Sequence, residues 1–201
     1  MSSSRVVVAV TGASGSAYAL RLLGHLEDLG QPVDLVVSPS AGRVLDFEGP
    51  GDRTWFDGSR PLAPAFGLTA DHHRAFGHQD IAAPIASGTA LRGGMVVVPC
   101  SMGTLGRMAH GISGNLIERA ADVCLKERRR LVLVPRETPL SLIQLRNMVS
   151  LTEAGAMILP ASPGFYARTR SIDDLLDHVC GKILDALGLE HEVSPRWGGG
   201  A

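Results

Sequence analysis

The sequence predicts an α/β fold, a three-layer sandwich built on a mostly parallel sheet, and three observations predict it. Short β-branched runs without polar alternation, VVVAV at 6–10, MVVVP at 95–99 and LVLV at 131–134, suit strands buried on both faces. Between them lie segments with apolar residues at helical spacing, several closed by glycine. Strand and helix signals alternate along the chain, the pattern of βα units with helices on both faces of one sheet.

The first unit is VVVAV, the small-residue turn TGASGS, and a helix through Leu20, Leu23 and Leu26 that stops at Gly30. Residues 32–37 make a second strand, and Ser38-Pro39-Ser40 caps a short helix carrying Val44 and Leu45. From 49 to 64 the chain is rich in Gly, Pro, Asp and Arg without a sustained period and reads as a long surface excursion. After the strand at 95–99, a short helix through Leu105 and Met108 ends at Gly111. A charged helix follows, with Ala120, Val123 and Cys124 on its apolar side and Arg119 and Lys126, seven apart, sharing another face. LVLV is the next strand, with PRETP at its carboxyl end. Pro139 opens a helix in which Leu142, Leu145, Met148 and Val149 keep helical spacing; Gly155 offers a left-handed cap and 156–160 form a strand. The final helix starts at Ser171, carries Asp173 and Asp174 in its first turn, and buries a stripe of Ile172, Leu175, Leu176, Val179 and Ile183.

At 201 residues the chain suits one domain, 1–201, ending in a turn-rich tail from 188. With 45% hydrophobic residues and a formal net charge of −1, it fits neither a disordered chain nor a nucleic-acid binder, so the partner is expected to be a small molecule. Cys100, Cys124 and Cys180 are odd in number, far apart and set in apolar patterns, unlike a disulfide framework; a reducing cytoplasm fits best. No amino-terminal segment has a signal-peptide pattern or the length of a membrane span.

Ligands of open α/β sheets bind outside the carboxyl ends of strands, which is where Arg136 and Glu137 fall. TGASG reads equally as an anion-binding turn or as a tight strand-to-helix turn without a ligand. PCSMGT at 99–104 can meet a ligand with hydroxyls and N–H groups, or Ser101 can simply cap a helix. Cys100 has no evident base beside it and reads as packing. The seven histidines show no metal-ligand spacing and no carboxylate cluster appears, so a bound phosphate would be neutralised by Lys and Arg, with no metal. Glu48, from the residues alone, is a solvated helix end.

TGASG at 11–15, ASG at 86–88, PCSMGTL at 99–105, RAADVCLKERRRLVLVPRETP at 119–139, PGFY at 163–166 and PRW at 195–197 occur in the order of one family. The chain resembles the flavin prenyltransferase (UbiX/Pad1) family along nearly its whole length, except about 49–78, which is expected to be one long variable excursion. The resemblance implies a Rossmann-like (flavodoxin-like) FMN protein that joins a dimethylallyl group from dimethylallyl monophosphate to N5 and C6 of reduced FMN. The prenylated FMN would serve a UbiD-like partner decarboxylase. It implies FMN contacts by Gly12, Ala13, Ser14, Ser38, Ser101, Met102, Gly103, Thr104 and Arg136. Ser14, Glu48, Lys126, Glu137 and Trp197 become catalytic, Glu48 as the base and Trp197 as a cover over flavin and prenyl group. Ser87, Gly88, Arg119, Lys126, Arg136, Tyr166 and Lys182 become donor-binding, with Ser87 and Gly88 brought in from a neighbouring subunit of a homo-oligomer, a dodecamer in the family. Lys182 departs from the usual arginine, keeping the charge and losing the bidentate fork. Two other readings remain. An FMN-dependent cysteine decarboxylase expects a PASANT-like segment and a catalytic His where this chain has PCSMGTL; a non-catalytic FMN-binding protein would tolerate loss of Glu48 and Lys126.

Overall fold

A computed structural model of the chain describes residues 4–49, 62–165 and 171–194. Six parallel strands form one sheet in the order β3-β2-β1-β4-β5-β6: β1 (Val6–Val10), β2 (Val33–Val37), β3 (Arg74–Phe76), β4 (Met95–Cys100), β5 (Leu131–Pro135) and β6 (Met157–Ile158). This is the doubly wound order, and without the short edge strand β3 it is the flavodoxin order. Around the sheet lie α1 (Ser16–Asp28), α2 (Pro39–Glu48), α3 (Leu62–Ala65), α4 (Met102–Ala109), α5 (Leu116–Lys126), α6 (Leu142–Glu153) and α7 (Ile172–Leu187).

The four long strands are buried throughout because both faces are covered. Successive side chains point to opposite layers. Val6, Val8 and Val10 pack with Leu22, Leu26, Ile183 and Leu184 of α1 and α7, whereas Val7 and Ala9 pack with Leu105, Ile117 and Val123 of α4 and α5. A 3-10 turn at Pro84–Ala86 adds Ile85 to the second layer.

Part of the expected excursion is ordered structure. β3 pairs with β2 over three residues, and the ion pairs of buried Asp34 hold it there: Arg74 Nε and Nη2 donate at 2.8 and 2.7 Å, and Arg5 Nε at 2.7 Å. His73 adds a second tie, its Nδ1 accepting from the Val33 N–H at 3.2 Å. The helix expected at Pro139 begins later, where Ser141 and Gln144 form a reciprocal cap. The expected core face of one helix is open and that of another is covered in all but its first turn. On α6, Leu142 is 60% exposed, Ile143 71% and Val149 56%, and only Leu151 is buried; on α7, Ile172 is 74% exposed, and the buried set starts at Val179. Helical spacing specifies an apolar face, and this chain alone does not cover it.

Asp34→Asn should therefore lower stability by about 2 kcal/mol, since it unpairs two guanidinium groups from a buried partner. Asp173→Asn, whose exposed carboxylate lies 3.7 Å from Arg21, should cost less than about 0.5 kcal/mol. Urea denaturation separates the two outcomes; equal small losses would reduce the Asp34 cluster to a surface pair.

Candidate functional site

The chain leaves β1 toward β2 and leaves β4 toward β5, so a crevice opens between the carboxyl ends of β1 and β4. Thr11, 2% exposed, closes its floor: its hydroxyl donates to the Pro99 carbonyl at 2.7 Å and accepts from the Ser101 N–H at 2.8 Å. Gly12 follows, and a Cβ there would lie 2.5 Å from Ser40 Cβ, so a larger residue would fill the crevice. Ser38 caps α2 by accepting from the Ala41 N–H at 3.1 Å, and its hydroxyl lies 3.0 Å from that of Ser40. Ser101 caps α4, accepting from the Thr104 N–H at 3.3 Å and donating to Thr104 Oγ1 at 3.0 Å. Both capping and ligand exposure are thus open to the same hydroxyl. Met102 and Thr104 are buried against the sheet and Gly103 is exposed.

Between α2 and α4 lies a cavity of about 210 Å³, lined among others by Ser38, Ser40, Arg43, His78, Thr104 and Arg107. Three hydroxyls beside two guanidinium groups suit a phosphate, and the glycine floor suits a flat ring system above it. The residues fit FMN. The volume falls below the roughly 300 Å³ at which small-molecule pockets begin, so one chain encloses only part of such a ligand. Arg43, His78 and Arg107 escaped the sequence reading, although Arg107 lies one turn after Thr104 and its pairing with buried Glu118 fixes its place.

The TGASG turn differs from an anion site in one respect: its anion is already part of the protein. Glu48 Oε2, at the end of α2, accepts from the N–H groups of Gly15 at 2.8 Å and Ser16 at 3.0 Å and from the Ser16 hydroxyl at 3.0 Å. Gly15, with φ 104°, offers α1 no side-chain cap of its own. Partial burial pushes the Glu48 carboxyl up, but the Ser14 hydroxyl and the Gly15 and Ser16 donors outweigh it and hold the pKa below its ordinary value. Glu48 is hence ionised at neutral pH. Arg136, exposed at the end of β5, runs beside Gly15, where a Cβ would lie 3.7 Å from its Cγ. It also faces Tyr18, whose phenol burial pushes up in pKa while Arg136 draws it back. Tyr18 is a second neighbour the sequence reading missed. Glu137 accepts from the Thr138 N–H at 3.1 Å and stays exposed beside Arg136.

The other expected donor contacts lie elsewhere on the chain. Lys126 ends α5 and precedes β5, whereas Arg136 follows β5; five strand residues put roughly 16 Å between those ends. Lys126 Nζ donates to Glu127 Oε1 at 2.6 Å, and Glu127 packs on Gly88, so Ser87, Gly88 and Lys126 form a second group at the amino-terminal ends of the strands. Arg119, two turns earlier on α5, pairs with Asp122 at 2.7 Å. Lys182 is exposed midway along α7, ten residues after Ile172, about 15 Å down the helix from its crevice end. Tyr166 and Trp197 lie outside the described residues. Among the described residues no group of three or more His, Cys, Asp or Glu could hold a metal ion, and no helix is long and apolar enough to cross a membrane.

Because Glu48 caps α1 from outside the helix, Glu48→Gln should cost about 1 kcal/mol at neutral pH. A carboxyl whose folded pKa is depressed stabilises the fold above its unfolded pKa and loses that contribution as pH falls through the folded value. The gap between parent and variant should thus be full at pH 7 and close below pH 4.5, the ordinary glutamate value. Thermal melts across that range check it; a gap independent of pH would mean that the charge does not act on the helix.

Comparison with known proteins gives the chain a lineage. A family model described as Flavoprotein matches residues 1–184. A flavin prenyltransferase UbiX from Alkalihalophilus pseudofirmus is 49% identical over 193 residues, covering 96% of each chain. Among solved structures, AnUbiX (PadA1) in complex with FMN and dimethylallyl pyrophosphate superposes with a TM-score of 0.87 at 42% identity, covering 99% of this chain and 100% of that one. A dodecameric FMN-dependent UbiX-like decarboxylase from Escherichia coli O157:H7 superposes with a TM-score of 0.85 at 39% identity, covering 97% and 100%. With a switch-point crevice that fits FMN and relatives this similar along nearly their whole length, the chain belongs to the flavin prenyltransferase family of flavoproteins.

Proposed function

We propose that this chain is a flavin prenyltransferase that transfers a dimethylallyl group from dimethylallyl monophosphate to reduced FMN. The observation that carries the reading is the near-complete likeness, in sequence and in backbone, to a relative whose structure holds FMN together with a dimethylallyl phosphoester. The allylic carbon–oxygen bond breaks and phosphate leaves as N5 of the flavin bonds to the allylic carbon and gives up its proton; the prenyl double bond then takes up a proton as its far carbon bonds to C6, and the C6 proton is lost. Gly12, Ala13, Ser38 and Ser101 to Thr104 hold FMN. Ser14 and Glu48 stand at the same edge of the crevice, and Glu48, ionised at neutral pH, takes the proton. Glu137 and Trp197 belong to the same reacting end. Departing phosphate is held by Arg136, Lys126, Arg119, Tyr166 and Lys182, whose charges offset the negative charge that grows as the bond breaks.

Arg136 and Lys126 meet only if a second copy brings its Ser87–Gly88–Lys126 corner to the crevice of the first. The exposed apolar face of α6 is the surface such a copy would cover. The assembly is a closed homo-oligomer, with the dodecamer of a structural relative as its pattern. Three buried, unpaired thiols support a reducing compartment, the cytoplasm. The prenylated flavin would then pass to a UbiD-like decarboxylase.

Incubated with reduced FMN and dimethylallyl monophosphate, the protein should convert the flavin to a species heavier by one five-carbon isoprene unit, by mass spectrometry, at the same rate with and without a chelator. An unmodified flavin would refute transfer. Loss of transfer on chelation, restored by magnesium, would refute a phosphate held by Lys and Arg alone.

A further inference from the structure

At the end of the sheet away from the crevice, a cavity of about 370 Å³ is lined by Arg92, Arg128, Arg129 and Arg130 together with Gln31, Gly94 and Leu187, and no carboxylate lines it. The size suits a small ligand. The whole chain carries a formal charge of −1, so four guanidinium groups around one hollow are not a reflection of general basicity.

The plain explanation is that they neutralise helix ends. α1, α5 and α7 all finish here, and each carboxyl end carries about half a negative charge, roughly −1.5 in sum, which leaves about 2.5 positive charges over. Arg130 is committed, donating to the Leu187 carbonyl at 2.7 Å. Arg92 makes one long contact, 3.4 Å to the Thr89 carbonyl. Among the described residues no carboxylate pairs with Arg92, Arg128 or Arg129. The adjacent acid, Glu127, is held by Lys126 at 2.6 Å, and the Arg129 charge acts on it more weakly.

Backbone geometry makes a second, independent point. Among the described residues five helices end with a left-handed glycine followed by an N–H that reaches back five residues. These are Gly30 on α1, Gly67 on α3, Gly111 on α4, Gly155 on α6 and Gly188 on α7, with φ of 62°, 81°, 67°, 103° and 73°. α5 ends in the same motif, with the Arg129 N–H 2.8 Å from the Cys124 carbonyl, yet its left-handed position is Arg128 at φ 52°. It is the one non-glycine residue with positive φ among those described. A side chain there costs stability that glycine would not lose, so helix termination alone does not call for an arginine at this position.

We propose that this hollow is a second anion site, separate from the flavin crevice, that takes a small phosphorylated anion. Guanidinium forks pair with phosphate oxygens two bonds at a time, and three forks without a carboxylate partner around one volume match an anion of two or more charges. Inorganic pyrophosphate is the probe. Isothermal titration of the FMN-loaded full-length assembly should find pyrophosphate binding that weakens at least tenfold in Arg128→Gly and in Arg129→Gln. The Arg128→Gly melting temperature should stay at or above that of the parent. Prenyl transfer, and its inhibition by pyrophosphate at the donor site, should be unchanged in both variants. Affinity equal to the parent in Arg128→Gly overturns the proposal, as does binding confined to the donor site. Binding to phosphatidylserine vesicles without binding of free pyrophosphate overturns it too, in favour of a membrane surface.

Discussion

A parallel sheet buried on both faces confines chemistry to its two ends, and that constraint organises everything else in this protein. Along the strands side chains can only pack: Val6 to Val10 and Leu131 to Val134 are all within 1% of full burial. Charged and hydrogen-bonding groups are therefore displaced to the loops, above or below. β5 separates the two sets like a ruler, with Arg136 and Glu137 beyond its carboxyl end and Lys126 before its start. No rotamer of a single chain closes a gap of roughly 16 Å while Lys126 also holds Glu127.

The carboxyl-end set is prepared within the chain. Thr11 ties the ends of β1 and β4 together, Gly12 leaves space against Ser40, and Glu48 fixes the start of α1. Its walls are not complete. The cavity is small, Arg136 is open to solvent, and the apolar face of α6 stands uncovered close by in the chain. In the proposed assembly a second copy of the same surface would meet both the incomplete pocket and the uncovered apolar face, each copy supplying what the other lacks.

Much of this was legible in the residues, with failures of one kind. Buried strands announce themselves by β-branched runs, and helix starts by Ser38, Ser101 and Ser171, because those signals are local; the cap at Ser141 was passed over for Pro139 two residues earlier. The spacing of Leu142, Leu145 and Val149 gave the helix but not what covers it, since a period of 3.6 names a face and no neighbour. β3 is three residues long and is held by Asp34, forty positions away from Arg74 in sequence, so no window contains its cause. Glu48 looked like a solvated helix end for the same reason, its donors lying more than thirty residues earlier. Lys126 and Arg136, ten residues apart, were joined in one donor site only by the resemblance; the helix-to-strand reversal between them sends the two charges to opposite ends of the sheet. The resemblance implied one site for residues that the fold of a single chain places at both ends of the sheet.

The central claim is that one working site takes Arg136 from one copy and Lys126 from another. Its most direct measurement is complementation: Arg136→Ala and Lys126→Ala, each inactive alone, are unfolded, mixed, refolded together and assayed for prenyl transfer. Mixed assemblies should regain a substantial fraction of parental activity, roughly a quarter for equal mixing of pairs, because some crevices then receive an intact Arg136 and an intact Lys126 from different copies. Mixed assemblies as inactive as either variant alone would place both residues in the site of a single chain and contradict the account.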